Sequence, residues 1–472
     1  MRLVIKFGGV PVKDGRSIRN AAQLVVDRHR RGDEVAVVVS AMAGVTDELV
    51  AIAHRLLKPR ADVERLISEF MGHISNRHLR ACEDAIDDEA ILDRTSRVLR
   101  NSLESLERAL TGVAYLGELS PRSQDLIMSF GERLSAPILA GAIQSLGVPA
   151  CYLTGFEAGI VTDDRHTEAR PIFELTRKLV RRRLNKLMAT GKVPVVTGFI
   201  AGTKDGVVTT LGRGGSDYSA SIIGASIEAD EIWVMTDVDG IMTADPKVEP
   251  DAKVIDMISY LEATELAYFG AKVLHPKTIE PAMELDIPVR VRNAFNPSHP
   301  GTVIIRRPKR TREVVKAITM SKEVAVITVG GPGMVGAPGV AATVLDILAR
   351  ADIKVLMISQ SSSQANISFV VPRTDLEAAL KALRAEFAER RIDWYVDYDR
   401  NASIIATIGA GMKGTPGVAA RVFGTMGREK INIIMIAQGS SELNISFVVA
   451  EKDAVKAVRA LHAEFGLGRG SR

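Results

Sequence analysis

Lys6 closes a short apolar run, Leu3–Phe7, and Gly8-Gly9 follow it directly. A cation and close-approaching backbone at the carboxyl end of a strand are what an anionic ligand needs in an open α/β sheet. A second run, Leu211-Gly212-Arg213-Gly214-Gly215-Ser216-Asp217, opens the helical stretch Tyr218–Ile227. Glycines there leave backbone N–H groups and the positive end of the helix dipole open to an anion, and Arg213 adds a fork for carboxylate or phosphate. The run is neither a Walker A loop nor a dinucleotide G-x-G-x-x-G turn. Thr236-Asp237-Val238-Asp239-Gly240 follows the strand Ile232–Met235, and Asp245-Pro246-Lys247 comes shortly after. A hydroxyl and carboxylates at a strand end suit a ribose, or Mg²⁺ with its water shell. Phe269-Gly270-Ala271-Lys272 supplies a further cation. Ser40 and Thr46 bracket the turn Ser40-Ala41-Met42-Ala43-Gly44-Val45-Thr46, and Ser129-Phe130-Gly131-Glu132-Arg133 opens another helical run. Their hydroxyls, the Glu132 carboxylate and the Arg213 fork could together hold a zwitterionic amino acid. Taken singly, each motif has a plainer reading as a tight turn, a helix cap or a surface charge. No histidine–serine or histidine–cysteine arrangement suggests a covalent nucleophile, and His275 before Pro276 reads as structural. Phosphoryl transfer needs none, because positioning and cations, here Lys6, Lys272 and Mg²⁺, can carry it.

The elements that must position these groups alternate along the chain. From Met1 to about Arg307, the strands Leu3–Phe7, Glu34–Val39, Val193–Val196, Ile232–Met235 and Val289–Val291 alternate with helical patterns, an α/β signature. Between about 59 and 117 the pattern turns wholly helical, with Leu99, Leu103, Leu106 and Leu110 as one apolar stripe, read as core or dimer surface. A repeat follows: SQSSSQANISFVV from Ser359 and AQGSSELNISFVV from Ala437 align without a gap, Asn366 on Asn444 and Pro338 on Pro416 at the same spacing. Each copy reads as a βαββα unit, with strands at Val324–Val329 and Ile404–Ile408 and helices at Val340–Arg350 and Val418–Lys430. The basic segment Arg306–Thr311 reads as a linker, and Gly466–Arg472 as a disordered tail.

At 472 residues and 46% hydrophobic, the chain can bury more than one core. Its 61 basic and 57 acidic residues are interspersed, so no face for nucleic acid stands out. Cys82 and Cys151 lie far apart in no metal-ligand spacing, which points to a reducing, cytoplasmic setting. Met1–Gly9 reads as a strand rather than a leader, and no run reaches the roughly 18 uninterrupted apolar residues of a membrane span, so no membrane partner is expected.

The motifs KFGG (6–9), SAMAGVT (40–46), SFGERLSA (129–136), VTGFIAG (196–202), TTLGRGGSDYSA (209–220), TDVDGI (236–241), TADP (243–246) and FGAKVLHP (269–276) resemble, in order and spacing, the aspartate kinases of the amino acid kinase family. The resemblance covers nearly the whole chain, and the repeat is similar to that family's paired ACT domains. It implies an α/β amino acid kinase fold, a three-layer αβα sheet, over 1–307, followed by two ferredoxin-like ACT units at 312–395 and 400–466. It also implies ATP and Mg²⁺ as cofactors, with the metal bound through ATP rather than directly by protein groups. By matched position, Lys6 and Lys272 would stabilise the transferring phosphoryl group and Asp217 would orient the lysines and metal waters. Gly8, Gly9, Gly214 and Gly215 would line the phosphates, and Thr236, Asp237, Met242, Asp245 and Lys247 would hold the nucleotide. Ser40, Thr46, Glu132 and Arg213 would hold aspartate. An amino-acid effector, threonine or lysine, would bind between ACT units at Gln360 and Asn366 or at Gln438 and Asn444, and a homodimer or homotetramer through the ACT units is implied.

The chain departs from the family pattern KFGGTSV at Val10 and Pro11, which removes two hydroxyls and one backbone N–H. In the first ACT copy, Ser361 and Gln364 stand where the second keeps Gly439 and Glu442, so the two effector sites are expected to differ. No segment long enough for a dinucleotide domain follows Phe465, which argues against a fused homoserine dehydrogenase. Two rival readings are another amino acid kinase, acting on glutamate, acetylglutamate, carbamate or UMP, and a catalytically weak amino-acid sensor.

Overall fold

The computed structural model describes residues 1–59, 62–269, 276–307, 314–439 and 441–468. They divide into two compact units. The first comprises Met1–Ile241, Asp256–Tyr260 and Val273–Pro308; the second takes Met242–Ile255, Leu261–Lys272 and Lys309–Arg472.

The first unit holds strands β1 (Arg2–Phe7), β2 (Glu34–Val39), β3 (Ala150–Leu153), β4 (Val193–Thr197), β5 (Ile200–Gly202), β6 (Val208–Thr210), β7 (Glu231–Thr236), β8 (Met257–Ser259), β9 (Val289–Asn293) and β10 (Thr302–Ile305). Its helices are α1 (Gly15–Arg30), α2 (Val45–Leu56), α3 (Val63–Ala85), α4 (Glu89–Leu116), α5 (Pro121–Ser145), α6 (Gly155–Ala158), α7 (Phe173–Met188) and α8 (Gly215–Ile227). Helix α9 (Tyr260–Tyr268) begins here and runs into the second unit, and α10 (Glu280–Glu284) returns to the first. Eight strands form one sheet in the order β3-β4-β2-β1-β7-β9-β10-β8, parallel except for the β9–β10 pair. Strands β1, β2, β4 and β7 are buried almost throughout, which is why their sequences are continuous apolar runs rather than alternations. Because β2 and β7 flank β1 on opposite sides, the connections leave β1 in both directions and open a crevice beyond its carboxyl end.

The helical insertion is the pair α3 and α4, capped by the Asp62 and Asp88 carboxylates on the N–H groups of Arg65 and Ile91. Leu99, Leu103, Leu106 and Leu110 are buried in the same core as β1 and β2, so the stripe is core. Helix α5 is long and apolar enough by composition to cross a bilayer, yet 89% of its most apolar window is buried inside this unit. It is a central core helix, and its Glu132 and Ser135 reach the Ser40–Ala41 turn of the site below.

The second unit contains the repeat as β11 (Ala317–Gly330), α11 (Val340–Arg350), β12 (Met357–Gln360), β13 (Asn366–Pro372) and α12 (Leu376–Glu389), then β14 (Tyr395–Ile408), α13 (Val418–Arg428), β15 (Met435–Ala437), β16 (Asn444–Ala450) and α14 (Ala454–Glu464). Both long strands exceed the lengths expected from sequence. The Lys322-Glu323 bulge, with Glu323 at φ +61°, interrupts the alternation in β11, and the exposed polar start of β14 hides its first half. These extra residues join the two copies. Ala317–Ser321 pairs with Ile404–Ile408, and Val326–Gly330 with Tyr395–Asp399, giving one antiparallel sheet in the order β12-β13-β11-β14-β16-β15. Each βαββα copy is thereby completed by a strand segment lying outside it, and the second copy is completed by residues that precede the first. The cores remain separate: Ile327, Phe369 and Leu383 belong to one, Ile318, Phe447 and Leu461 to the other.

Candidate active site

The carboxyl ends of β1, β2, β4 and β7 deliver the first unit's site residues. Lys6, only 8% exposed at the end of β1, places its Nζ 2.6 Å from Asp217 Oδ1 in the first turn of α8. Gly8 donates to the Met235 carbonyl at 3.1 Å, and a Cβ on Gly9 would come within 3.0 Å of the Ala41 carbonyl oxygen, so Gly9 is what lets the β1 and β2 turns pass closely. Val10–Val12 forms a short 3₁₀ turn with Pro11 in its first turn, where the missing N–H has no intrahelical acceptor to lose.

Helix α8 follows Gly214, φ +75°, with no side-chain cap; the Gly215 N–H donates to the Gly212 carbonyl at 2.9 Å, which leaves the Ser216 and Asp217 N–H groups to an incoming anion. Gly215 is required because a Cβ there would lie 2.7 Å from the Phe199 ring. Arg213 is exposed on the preceding turn and makes no hydrogen bond or ion pair among the described residues.

Ser40 follows β2, and its carbonyl accepts from Ser135 Oγ at 2.8 Å; Thr46 lies in the first turn of α2. Helix α5 approaches both at Gly131, where a Cβ would sit 2.7 Å from Ala41 Cβ and 3.7 Å from Thr46 Oγ1. The next residue, Glu132, is 3% exposed. Its Oε1 accepts from the Ala41 N–H at 3.1 Å, and its Oε2 has no hydrogen-bond partner. Burial pushes its pKa up to about 8, against the opposing pull of that N–H and the Lys6 charge. A buried carboxyl with one oxygen unmet is arranged for a cationic ligand.

Two features escaped sequence reasoning. Phe199 sits at φ +64°, a conformation unfavourable for a non-glycine residue, held by its N–H donating to Ser219 Oγ at 3.0 Å and by Gly198 packed on Ser216. The motif VTGFIAG contained it, but nothing local marks the strained residue. Asp125, fully buried on α5, accepts from Thr210 Oγ1 at 2.5 Å and the Thr167 N–H at 3.0 Å, and pairs with His166 Nδ1 at 2.7 Å. Thr210 ends β6 just ahead of Gly212–Gly214, so this network anchors the glycine turn. Its members lie up to 85 residues apart, and no sequence signal joins them.

Thr236 Oγ1 donates to Asp237 Oδ1 at 3.1 Å at the end of β7, while Asp239 takes the amides of Asn293 and Asn296. Met242, Asp245 and Lys247 fall in the second unit, where Asp245 Oδ1 caps the Lys247 N–H at 2.9 Å. Lys272 lies outside the described residues. Gln360 and Gln438 are exposed and Asn366 is half-buried, while the Asn444 amide donates to Glu265.

The chain belongs to the amino acid kinase family: the model of that family matches residues 1–293, and an ACT domain model matches 327–387 and 405–465. Within the family, the similarity falls on aspartokinases. Bifunctional aspartokinase/homoserine dehydrogenase 2 of Arabidopsis thaliana is 34% identical over 99% of this chain and 51% of its own length, so the chain spans about half of that relative. Aspartokinase 1 of the same plant is 35% identical over 98% of this chain and 80% of its own length. The solved structure of E. coli aspartokinase III in complex with aspartate and ADP (R-state) matches at a TM-score of 0.81 and 30% identity, covering 98% of this chain and 99% of that one. The same enzyme with lysine and aspartate (T-state) matches at 0.80.

Proposed function

We propose that this chain phosphorylates L-aspartate with ATP, giving ADP and 4-phospho-L-aspartate, and that an end-product amino acid controls it through the ACT repeat. The observation that carries the proposal is the convergence, at adjoining strand ends, of a buried Lys6–Asp217 pair, an uncapped glycine-led helix start and a buried carboxyl with one oxygen unmet. The first two suit a phosphate, and the third suits the ammonium of an amino acid. Similarity to a structure holding both aspartate and ADP supports the combination.

In this reading, Glu132 takes the substrate ammonium, Arg213 its α-carboxylate, and the Ser40 and Thr46 hydroxyls its remaining oxygens. A β-carboxylate oxygen attacks the γ-phosphorus in line, the bond from that phosphorus to the β,γ-bridging oxygen breaks, and ADP departs with the electron pair. No base is needed, because the carboxylate is already ionised at neutral pH. Lys6 neutralises charge on the equatorial oxygens, as Lys272 does by its place in the motif, and the turn at Gly214 and Gly215 brings the phosphates to the start of α8. Gly8 and Gly9 let backbone approach those phosphates, and Thr236, Asp237, Met242, Asp245 and Lys247 are assigned to the nucleotide. Asp217, the carboxylate beside Lys6, would order the waters of a Mg²⁺ ion held through ATP, and that ion would supply charge neutralisation at the phosphates. Homodimer or homotetramer assembly through the ACT units belongs to the same reading. So does a cytoplasmic address, which the two unpaired cysteines support.

Trapping the acyl phosphate as its hydroxamate tests the reaction. Hydroxamate from aspartate with ATP, and little from glutamate or acetylglutamate, is expected. Equal turnover of glutamate overturns the assignment.

A further inference from the structure

The helical insertion carries a side chain that reaches the site. Helix α3 is packed tightly into the first unit: Ile74 and His78 are fully buried on one face, and a Cβ on Gly15 of α1 would lie 2.6 Å from the Ala81 carbonyl oxygen. Arg77, beside them on α3, turns its guanidinium to the Ser40–Thr46 turn. Its Nη2 donates to the Ala43 carbonyl, and its Nη1 donates at 2.9 Å to Oε1 of Glu48, in the first turn of α2. His73, one turn earlier on α3, places Nε2 3.3 Å from the other Glu48 oxygen. The Arg77 side chain is 23% exposed, so solvent competes little for these bonds.

The turn that Arg77 holds has no side-chain cap of its own. Helix α2 starts after Gly44, at φ +83°, and no side chain accepts from its first N–H groups. Contacts from elsewhere in the chain fix its shape instead. The Ala41 N–H donates to Glu132 on α5, the Ala43 N–H donates to the Gly9 carbonyl at 3.2 Å, and the Ala43 carbonyl accepts from Arg77. The first two tie the turn to residues assigned to the substrate ammonium and to the phosphates. The third comes from the insertion. A cation beside the start of a helix opposes the helix dipole, so it is the two acceptors that set Arg77 there. Its planar fork spans a carbonyl and a carboxylate at fixed geometry, which a lysine ammonium does not reproduce.

We propose that Arg77 is a positioning residue for aspartate: it locks the Ala43 peptide, and with it the Ser40 and Thr46 hydroxyls on either side, in the geometry that receives the substrate. The insertion is thereby a working part of the substrate site as well as core. This rests on the reading of the turn as the aspartate site. Glu48 acts through Arg77, as a second positioning residue.

The test is steady-state kinetics of the full chain by coupled ADP release, with amide hydrogen exchange of residues 40–48 measured alongside. Arg77→Met should raise KM for aspartate roughly ten-fold, as loss of a hydrogen bond to a charged group does, with kcat and KM for ATP within about two-fold. Arg77→Lys, which keeps the charge but not the fork, should recover only part of that loss. Glu48→Gln, a near-isosteric change that gives the same readout should Arg77→Met fail to fold, should raise KM for aspartate a few-fold. Adding it to Arg77→Met should cost nothing more, because the two residues act as one unit. In Arg77→Met, exchange at 40–48 should quicken several-fold while β1 and α5 exchange as in the wild type. An unchanged KM for aspartate, a matching loss in kcat and KM for ATP, additive effects of the two changes, or unaltered exchange at 40–48 overturns the proposal. Absence of ADP release with aspartate from the wild type would instead remove the kinase reading, and the exchange measurement still decides the role of Arg77.

Discussion

Glu132 gives the sharpest expectation, because its burial and its assigned role pull in opposite directions. The free site holds its pKa near 8, so the carboxyl is mostly protonated at neutral pH, whereas a substrate ammonium needs the carboxylate. At pH 7, ionising a group of that pKa costs about 1.4 kcal/mol, a ten-fold penalty on aspartate binding that disappears above pH 8. Apparent KM for aspartate should therefore fall roughly 25-fold between about pH 6.5 and 8.5, with kcat changing much less. Glu132→Gln should show a high KM with no such slope. The assay is coupled ADP release at saturating ATP and Mg²⁺ over that range. A wild-type KM that stays flat, or a Gln variant with the wild-type slope, refutes the argument. Stability follows the same linkage. A folded pKa raised above the unfolded value of about 4.5 contributes stability that is present at low pH and is lost as pH rises through about 8. The free protein should lose on the order of 3–4 kcal/mol from this group between about pH 5 and 8, and aspartate should restore part of it.

Lys6→Ala should lower kcat by roughly two or more powers of ten with a smaller change in KM, since the ammonium acts on charge that develops in the transition state; a mainly KM effect reassigns it to ground-state binding. Asp125→Ala leaves the buried Thr210 hydroxyl and two half-buried donors, the Thr167 N–H and His166, unmet and should cost on the order of 2–4 kcal/mol in chemical unfolding, with kcat/KM lowered even where the protein stays folded; unchanged kinetics would separate the network from the glycine turn. Val10→Thr with Pro11→Ser should leave KM for ATP within a few-fold and lower Tm slightly, since proline fits the first turn of the 3₁₀ segment and stabilises it by about 0.4–1 kcal/mol through the unfolded chain. A large drop in that KM alone would mean the proline had removed a phosphate contact.

The amino-acid order by itself determined what local rules govern. Strand β1 with Lys6, the turn at Gly8-Gly9 and the start of α8 after Gly214 are each written within a dozen residues as hydrophobic period, turn chemistry and helix signal. The repeat was legible for the same reason, since its copies share identical runs around Asn366 and Asn444. Tertiary structure decided what depends on partners far along the chain. Only packing brings Asp125 to Thr210, turns Phe199 to positive φ, and buries Glu132 deeply enough to raise its pKa. Residues 317–321 complete the second copy because strand pairing follows free edges and register, not chain order. Glu262 and Glu265 look like ordinary surface charges of a helix until the fold sets them against Ala410 and Asn444. Burial and electrostatics are sums over neighbours, and the sequence does not list the neighbours.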